Sequence, residues 1–148
     1  MFKKISILFF TVVCLTFLQT INFAIFSVKP NLALVAIIIV AFFIANIWEV
    51  FLLVILSALI LKFSPGFSGE ILIFSLITFT AIVIRKYLPW HLIINILFLI
   101  IVATVFFYIF SAPGLIISII FLKELVYNII IGFLIFIVLH HIIGVRLQ

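Results

Sequence analysis

Glu124 and Asn128 stand four residues apart in the last apolar stretch of the chain, with Tyr127 beside them. On a helix this spacing puts the acid and the amide on one face. A carboxyl and a carboxamide directed together into a helix bundle bind a polar ligand or lock neighbouring helices by hydrogen bonds. At a membrane surface, the same Glu124 would instead pair with Lys123 or a lipid headgroup. Glu124, Tyr127 and Asn128 are therefore the candidate polar cluster inside the bundle.

Other reactive side chains form no recognisable constellation. His140 and His141 are adjacent, so they leave a helix on different faces, and neither they nor His91 have a Cys, Asp or suitably spaced partner that completes a metal site. The Ser and Thr residues are scattered through apolar segments, where they return hydrogen bonds to their own helix or a neighbour. No Ser-x-x-Lys, Gly-x-Ser-x-Gly or His-Glu-x-x-His occurs. No catalytic residue, metal ligand or cofactor is expected. Gln19, Asn22 and Asn95 are candidate ties between helices. Ala41 and Ala45, with Ala36 near their face, form a small-residue strip that would let another helix approach closely, as a packing or partner face.

These residues lie in a chain that is 70% hydrophobic, with eight Lys or Arg and three Asp or Glu gathered at the ends of long apolar runs. A water-soluble domain is about a quarter charged and could not hide this much Phe, Ile and Leu. A bilayer demands this layout, because spanning backbone must satisfy its own hydrogen bonds and charge is costly in lipid. The net charge of +5 fits helix flanks in contact with anionic headgroups better than it fits nucleic acid. The single cysteine, Cys14, forms no internal disulfide.

Lys3-Lys4 precede a run that extends over residues 5–27. It is longer than the usual signal-peptide core, contains Gln19 and Asn22, and lacks a small-x-small cleavage site. Cys14 follows Val12-Val13, not the small residue of a lipoprotein signal. The run is read as a retained first helix. Val28-Lys29-Pro30-Asn31 is a turn, since proline cannot continue a helix. As one helix, residues 32–63 would be too long for a span and would place Glu49 near mid-membrane, at a cost of about 2.5–3.5 kcal/mol. A break at Asn46 moves Trp48 and Glu49 to an interface. Ser64-Pro65-Gly66-Phe67-Ser68-Gly69 is the clearest loop. Glu70 opens the next helix at the positive end of its dipole.

Arg85-Lys86-Tyr87-Leu88-Pro89-Trp90 and Ser111-Ala112-Pro113-Gly114 bound the fifth helix. The remaining stretch either begins with a short interfacial piece over 115–123 or forms one long tilted helix. The expectation is an all-α, polytopic membrane bundle, residues 1–148 as one integral membrane domain, with six short transmembrane helices over 5–27, 31–45, 47–63, 70–84, 91–110 and 118–143. Lys3, Lys4, Arg85, Lys86 and Arg146 then share one side, and Lys29 and Lys62 the other. The excess of cations places both termini in the cytoplasm and the chain in the inner membrane.

Several of these segments resemble the bacterial rod shape-determining MreD family. The similarity covers roughly residues 5–143. It rests on Lys29-Pro30-Asn31-Leu32-Ala33-Leu34 leading into the second helix and on the hairpin ending in Ser57-Ala58-Leu59-Ile60-Leu61-Lys62-Phe63-Ser64-Pro65-Gly66. The Arg85-Lys86 pair and the final helix with Glu124, Tyr127 and Asn128 agree with it. Ser57-Ala58 stand where the family carries glycines, and Lys62 stands near its acidic position. The resemblance implies a non-catalytic scaffold subunit of the machinery for lateral peptidoglycan synthesis, in contact with membrane lipid and an MreC-like single-span partner. The architecture is also similar to the substrate-binding S components of energy-coupling-factor transporters, which implies a ligand pocket and docking through a small-residue face.

Overall fold

The computed structural model describes residues 2–21, 24, 28–62 and 69–143. Among these the chain forms six α-helices: α1 (Phe2–Thr20), α2 (Leu32–Phe43), α3 (Ile47–Lys62), α4 (Glu70–Ile84), α5 (Leu92–Ser111) and α6 (Ile119–Ile143). Short 3₁₀ turns at Arg85–Tyr87 and Pro113–Leu115 lie on either side of α5.

Helix α2 is the centre of the molecule. Its sequence, Leu-Ala-Leu-Val-Ala-Ile-Ile-Ile-Val-Ala-Phe-Phe, has no polar face, and a helix that is apolar all round must be enclosed. Eleven of its 12 residues are buried, and it packs against all five other helices. Those five follow one another around it, α1 on α3, α3 on α4, α4 on α5 and α5 on α6. Each turns a narrow face inward, such as Val50, Leu53, Val54, Ser57 and Leu61 of α3. Their outer faces carry exposed Leu52, Leu72, Leu76, Phe106 and Phe110. Water would penalise such a surface heavily, whereas hydrocarbon matches it.

Helices α1 (from Lys3), α5 and α6 are long and apolar enough to cross a membrane. At 12, 16 and 15 residues, α2, α3 and α4 fall short of the roughly 20 needed for a full span. For α2 the shortfall has a physical reason: it is walled off by protein and need not match the lipid.

The expected break at Asn46 falls between α2 and α3. The Asn46 side-chain oxygen accepts from the Trp48 N–H at 3.1 Å, and its amide donates to Glu49 at 3.4 Å, which caps α3. Helix α4 occupies the expected interval. Helix α6 runs without interruption through Lys123-Glu124, capped by Ser118, whose hydroxyl accepts from Phe121 N–H at 3.2 Å. The alternative of a separate interfacial piece over 115–123 gives way to the 3₁₀ turn at Pro113–Leu115, a turn over 116–118 and then this helix.

Helix α1 differs from expectation. It ends at Thr20, Ile21 is already in a turn, and residues 22–23 and 25–27 of the expected helix lie outside the described residues. The Gln19 side chain reaches to the backbone of α2, and the Thr20 hydroxyl folds back onto the Phe17 carbonyl at 2.7 Å. Asn22, most of the expected 64–69 loop and Arg146 lie outside the described residues.

Candidate functional site

The first N–H groups of a helix have no partner inside the helix, and in an apolar bundle no bulk water stands in for one. At the head of α2 the sequence answers each of them. Leu32 N–H donates to the Pro30 carbonyl at 3.0 Å, Ala33 N–H to the Gln19 side-chain oxygen at 2.8 Å, and Leu34 N–H to the Asn31 side-chain oxygen at 3.2 Å. Asn31 is the N-cap, and its own N–H donates to the Asn128 side-chain oxygen at 3.0 Å. Residues from α1, the 28–31 segment and α6 thus converge on one helix end.

Asn128 also joins α6 to α5. Its amide donates to the Thr104 hydroxyl at 3.2 Å. One turn nearer the α5–α6 connection, the Tyr108 hydroxyl donates to Glu124 at 2.5 Å, and the Tyr108 ring meets Phe121 edge-on at 4.9 Å. One turn on the other side of Asn128, Gly132 faces Ile100 so closely that a Cβ there would lie 2.5 Å from the Ile100 Cδ1. Three pairs, Tyr108–Glu124, Thr104–Asn128 and Ile100–Gly132, therefore step four residues each in opposite directions, as two antiparallel helices in fixed register require. Glu124, Asn128 and Thr104 are all buried.

The other end of α2 is tied by a cation. Arg85, in the 3₁₀ turn after α4, is half-buried and donates from Nη2 to the carbonyl of Ile44, the C-cap of α2, at 3.1 Å. Burial lowers its guanidinium from the ordinary value. Nearer the head of α2, the buried Thr16 and Ser57 hydroxyls bond α1 to α3 at 3.2 Å.

Of the residues singled out from the sequence, Glu124 and Asn128 belong to this network. Tyr127 is half-buried and stands outside it among the described residues; Tyr108 takes the place expected of it. The signal for Tyr108 lies in its distance from the 111–114 turn, which brings the end of α5 opposite the start of α6. Gln19 ties α1 to α2 as expected. Asn95 does not bridge helices among the described residues: its amide donates to the Trp90 carbonyl at 2.8 Å, just ahead of its own helix, and its side-chain oxygen is buried without a partner there.

Ala36 and Ala41 are buried inside the bundle, at 0% and 1% exposure, while Ala45 is exposed beyond the end of α2. Ala36 and Ala41 therefore pack α2 against its own neighbours, and of the three alanines Ala45 alone is exposed. His91 and His141 are exposed, and His140 lies against Phe136 with its Nε2 buried and, among the described residues, unbonded. Among the described residues no group of three or more His, Cys, Asp or Glu could hold a metal ion.

Chemically, the arrangement holds a short apolar helix at both ends and fixes α5 against α6. No family model, curated protein or solved structure matches the chain.

Proposed function

We propose that the chain is a non-catalytic, MreD-like scaffold subunit of the machinery for cell shape and lateral peptidoglycan synthesis, a multi-pass protein of the inner membrane. The observation that carries this reading is the hydrogen-bonded polar network that joins α1, α2, α5 and α6. Gln19, Asn31, Thr104, Tyr108, Glu124 and Asn128 bond to one another or to the head of α2, so the interior polar chemistry serves to hold a shape. A protein built in this way acts through its outer faces, here large and apolar. The sequence resemblance supplies the assembly, with an MreC-like single-span protein as the partner.

Six membrane helices with both termini cytoplasmic complete the proposal. Successive helices pack as antiparallel neighbours, so Lys3, Lys4, Arg85 and Lys86 gather at one end and Lys29, Lys62 and Lys123 at the other. The positive-inside preference turns the first end to the cytoplasm. Depletion tests the assignment: rod-shaped cells should become round, and the tagged protein should co-purify with a single-span membrane partner. Unchanged shape with lost uptake of a vitamin-like solute would replace the scaffold with a transporter S component.

A further inference from the structure

Between α3 and α4 the outer surface opens into an apolar groove of about 500 Å³. Its floor is widened by the small side chains of Ala58 and Ser75, and the exposed Leu76 forms part of its rim. Lys62, exposed at the end of α3, stands at one mouth. At the other end Phe51 and Phe79 meet edge-on, ring centroids 5.1 Å apart, and close it.

We infer that this groove holds one phospholipid, its acyl chain between α3 and α4 and its phosphate at the Lys62 ammonium. The length selects the occupant. From Lys62 to Phe51 the helix rises about 17 Å, close to one leaflet of a hydrocarbon core about 30 Å thick. A spanning helix of a partner would have to continue past the Phe51–Phe79 wall, whereas an acyl chain ends there. The charge selects the headgroup: a lysine at the apolar boundary extends its ammonium to the interface, where it pairs with the phosphate and favours a net-anionic headgroup over a zwitterionic one whose own ammonium it repels. The leaflet is the one at the Lys29/Lys62 end of the bundle. The inference needs the chain to lie in a bilayer and does not depend on the scaffold assignment.

Native mass spectrometry of the full chain, released from nanodiscs of mixed phosphatidylglycerol and phosphatidylethanolamine, tests it. The expected result is one retained phospholipid per protein, with phosphatidylglycerol preferred. Lys62→Gln should reduce that preference about fivefold, the effect of one basic residue at an anionic surface. Lys86→Gln, at the opposite end, should leave it unchanged. Ala58→Leu and Ser75→Leu fill the floor and should abolish retention of either lipid, with helical content by circular dichroism as the folding check. Retention by Lys62→Gln equal to the parent in amount and preference overturns the phosphate contact. Retention that survives the filled groove overturns the site, and should the filled variants misfold, Lys62→Gln decides alone.

Discussion

The side-chain oxygen of Asn128 accepts the backbone N–H of Asn31 at 3.0 Å, joining positions 97 residues apart in sequence. With its amide on Thr104, this one side chain touches the head of α2, the middle of α5 and its own helix. Asn128 is 0% exposed, so no water replaces either bond when it is lost.

Asn128→Leu should therefore lower stability by about 2 kcal/mol. The leucine fits an apolar interior but orphans the Asn31 N–H, and a buried donor left unpaired costs about 1–3 kcal/mol. Bonds between helices in membranes have been worth less, averaging about 0.6 kcal/mol, because the unfolded state finds partners too. Backbone N–H groups at a helix head have few such partners, which favours the larger figure. Thermal unfolding of the purified protein in detergent measures it. A loss below about 0.5 kcal/mol would show that the head of α2 finds another acceptor.

Gly132 tests the register of α5 and α6. Its neighbour across the interface is the tip of Ile100, with Val35 of α2 at 3.4 Å on the same side. Gly132→Ala gains about 1 kcal/mol of helix propensity but forces the buried Ile100 to move, and overpacking costs about 1–3 kcal/mol. The net expectation is a loss of about 1 kcal/mol. Ile100→Val removes the clashing Cδ1, so the double variant should recover the stability lost by Gly132→Ala. Failure of the double variant to recover would place the obstruction at Val35.

Much of the fold was legible because its boundaries carry polar or turn-forming residues. Asn46-Ile47-Trp48-Glu49 marked the break after α2, and Gly69-Glu70 and Ile84-Arg85 bounded α4, where apolar character stops abruptly. The end of α1 was not legible, since apolar residues continue past Thr20. Half of the polar network was also readable: Glu124 and Asn128 share a face by spacing alone. Their partners Tyr108 and Thr104 were not, because the register of two helices depends on how the 111–118 connection turns. Which neighbours the alanine strip packs against was hidden for a related reason. Spacing shows that Ala41 and Ala45 are close, but not that α2 is enclosed by the other five helices.

Arg85 holds the opposite end of α2. Arg85→Gln shortens the side chain and leaves the buried Ile44 carbonyl without its donor, and bonds from charged donors contribute about 1.5–3 kcal/mol. The segment 44–46 should then exchange its amide hydrogens faster, with little change at the head of α2. Arg85→Lys should restore only part of the protection, because a lysine cannot present the planar fork that reaches sideways to a carbonyl. Hydrogen exchange by mass spectrometry separates the two ends, and equal loosening of both would show that α2 moves as one rigid unit.

The last prediction concerns the alanines. Ala41 is 1% exposed and lies where α2 meets the rest of the bundle, so Ala41→Leu inserts three carbons into a packed interior. Overpacking of that kind costs about 1–3 kcal/mol, enough to deplete the folded protein in membranes. Ala45 is exposed in the segment between α2 and α3, and Ala45→Leu should leave folding intact. If the alanine strip contacts a partner, both variants lose co-purification at normal abundance. If it packs α2 within its own bundle, Ala41→Leu lowers abundance and melting temperature, while Ala45→Leu keeps abundance, melting temperature and partner. The burial of Ala36 and Ala41 favours the second outcome, which would direct the search for the partner surface to the outer faces of the surrounding helices.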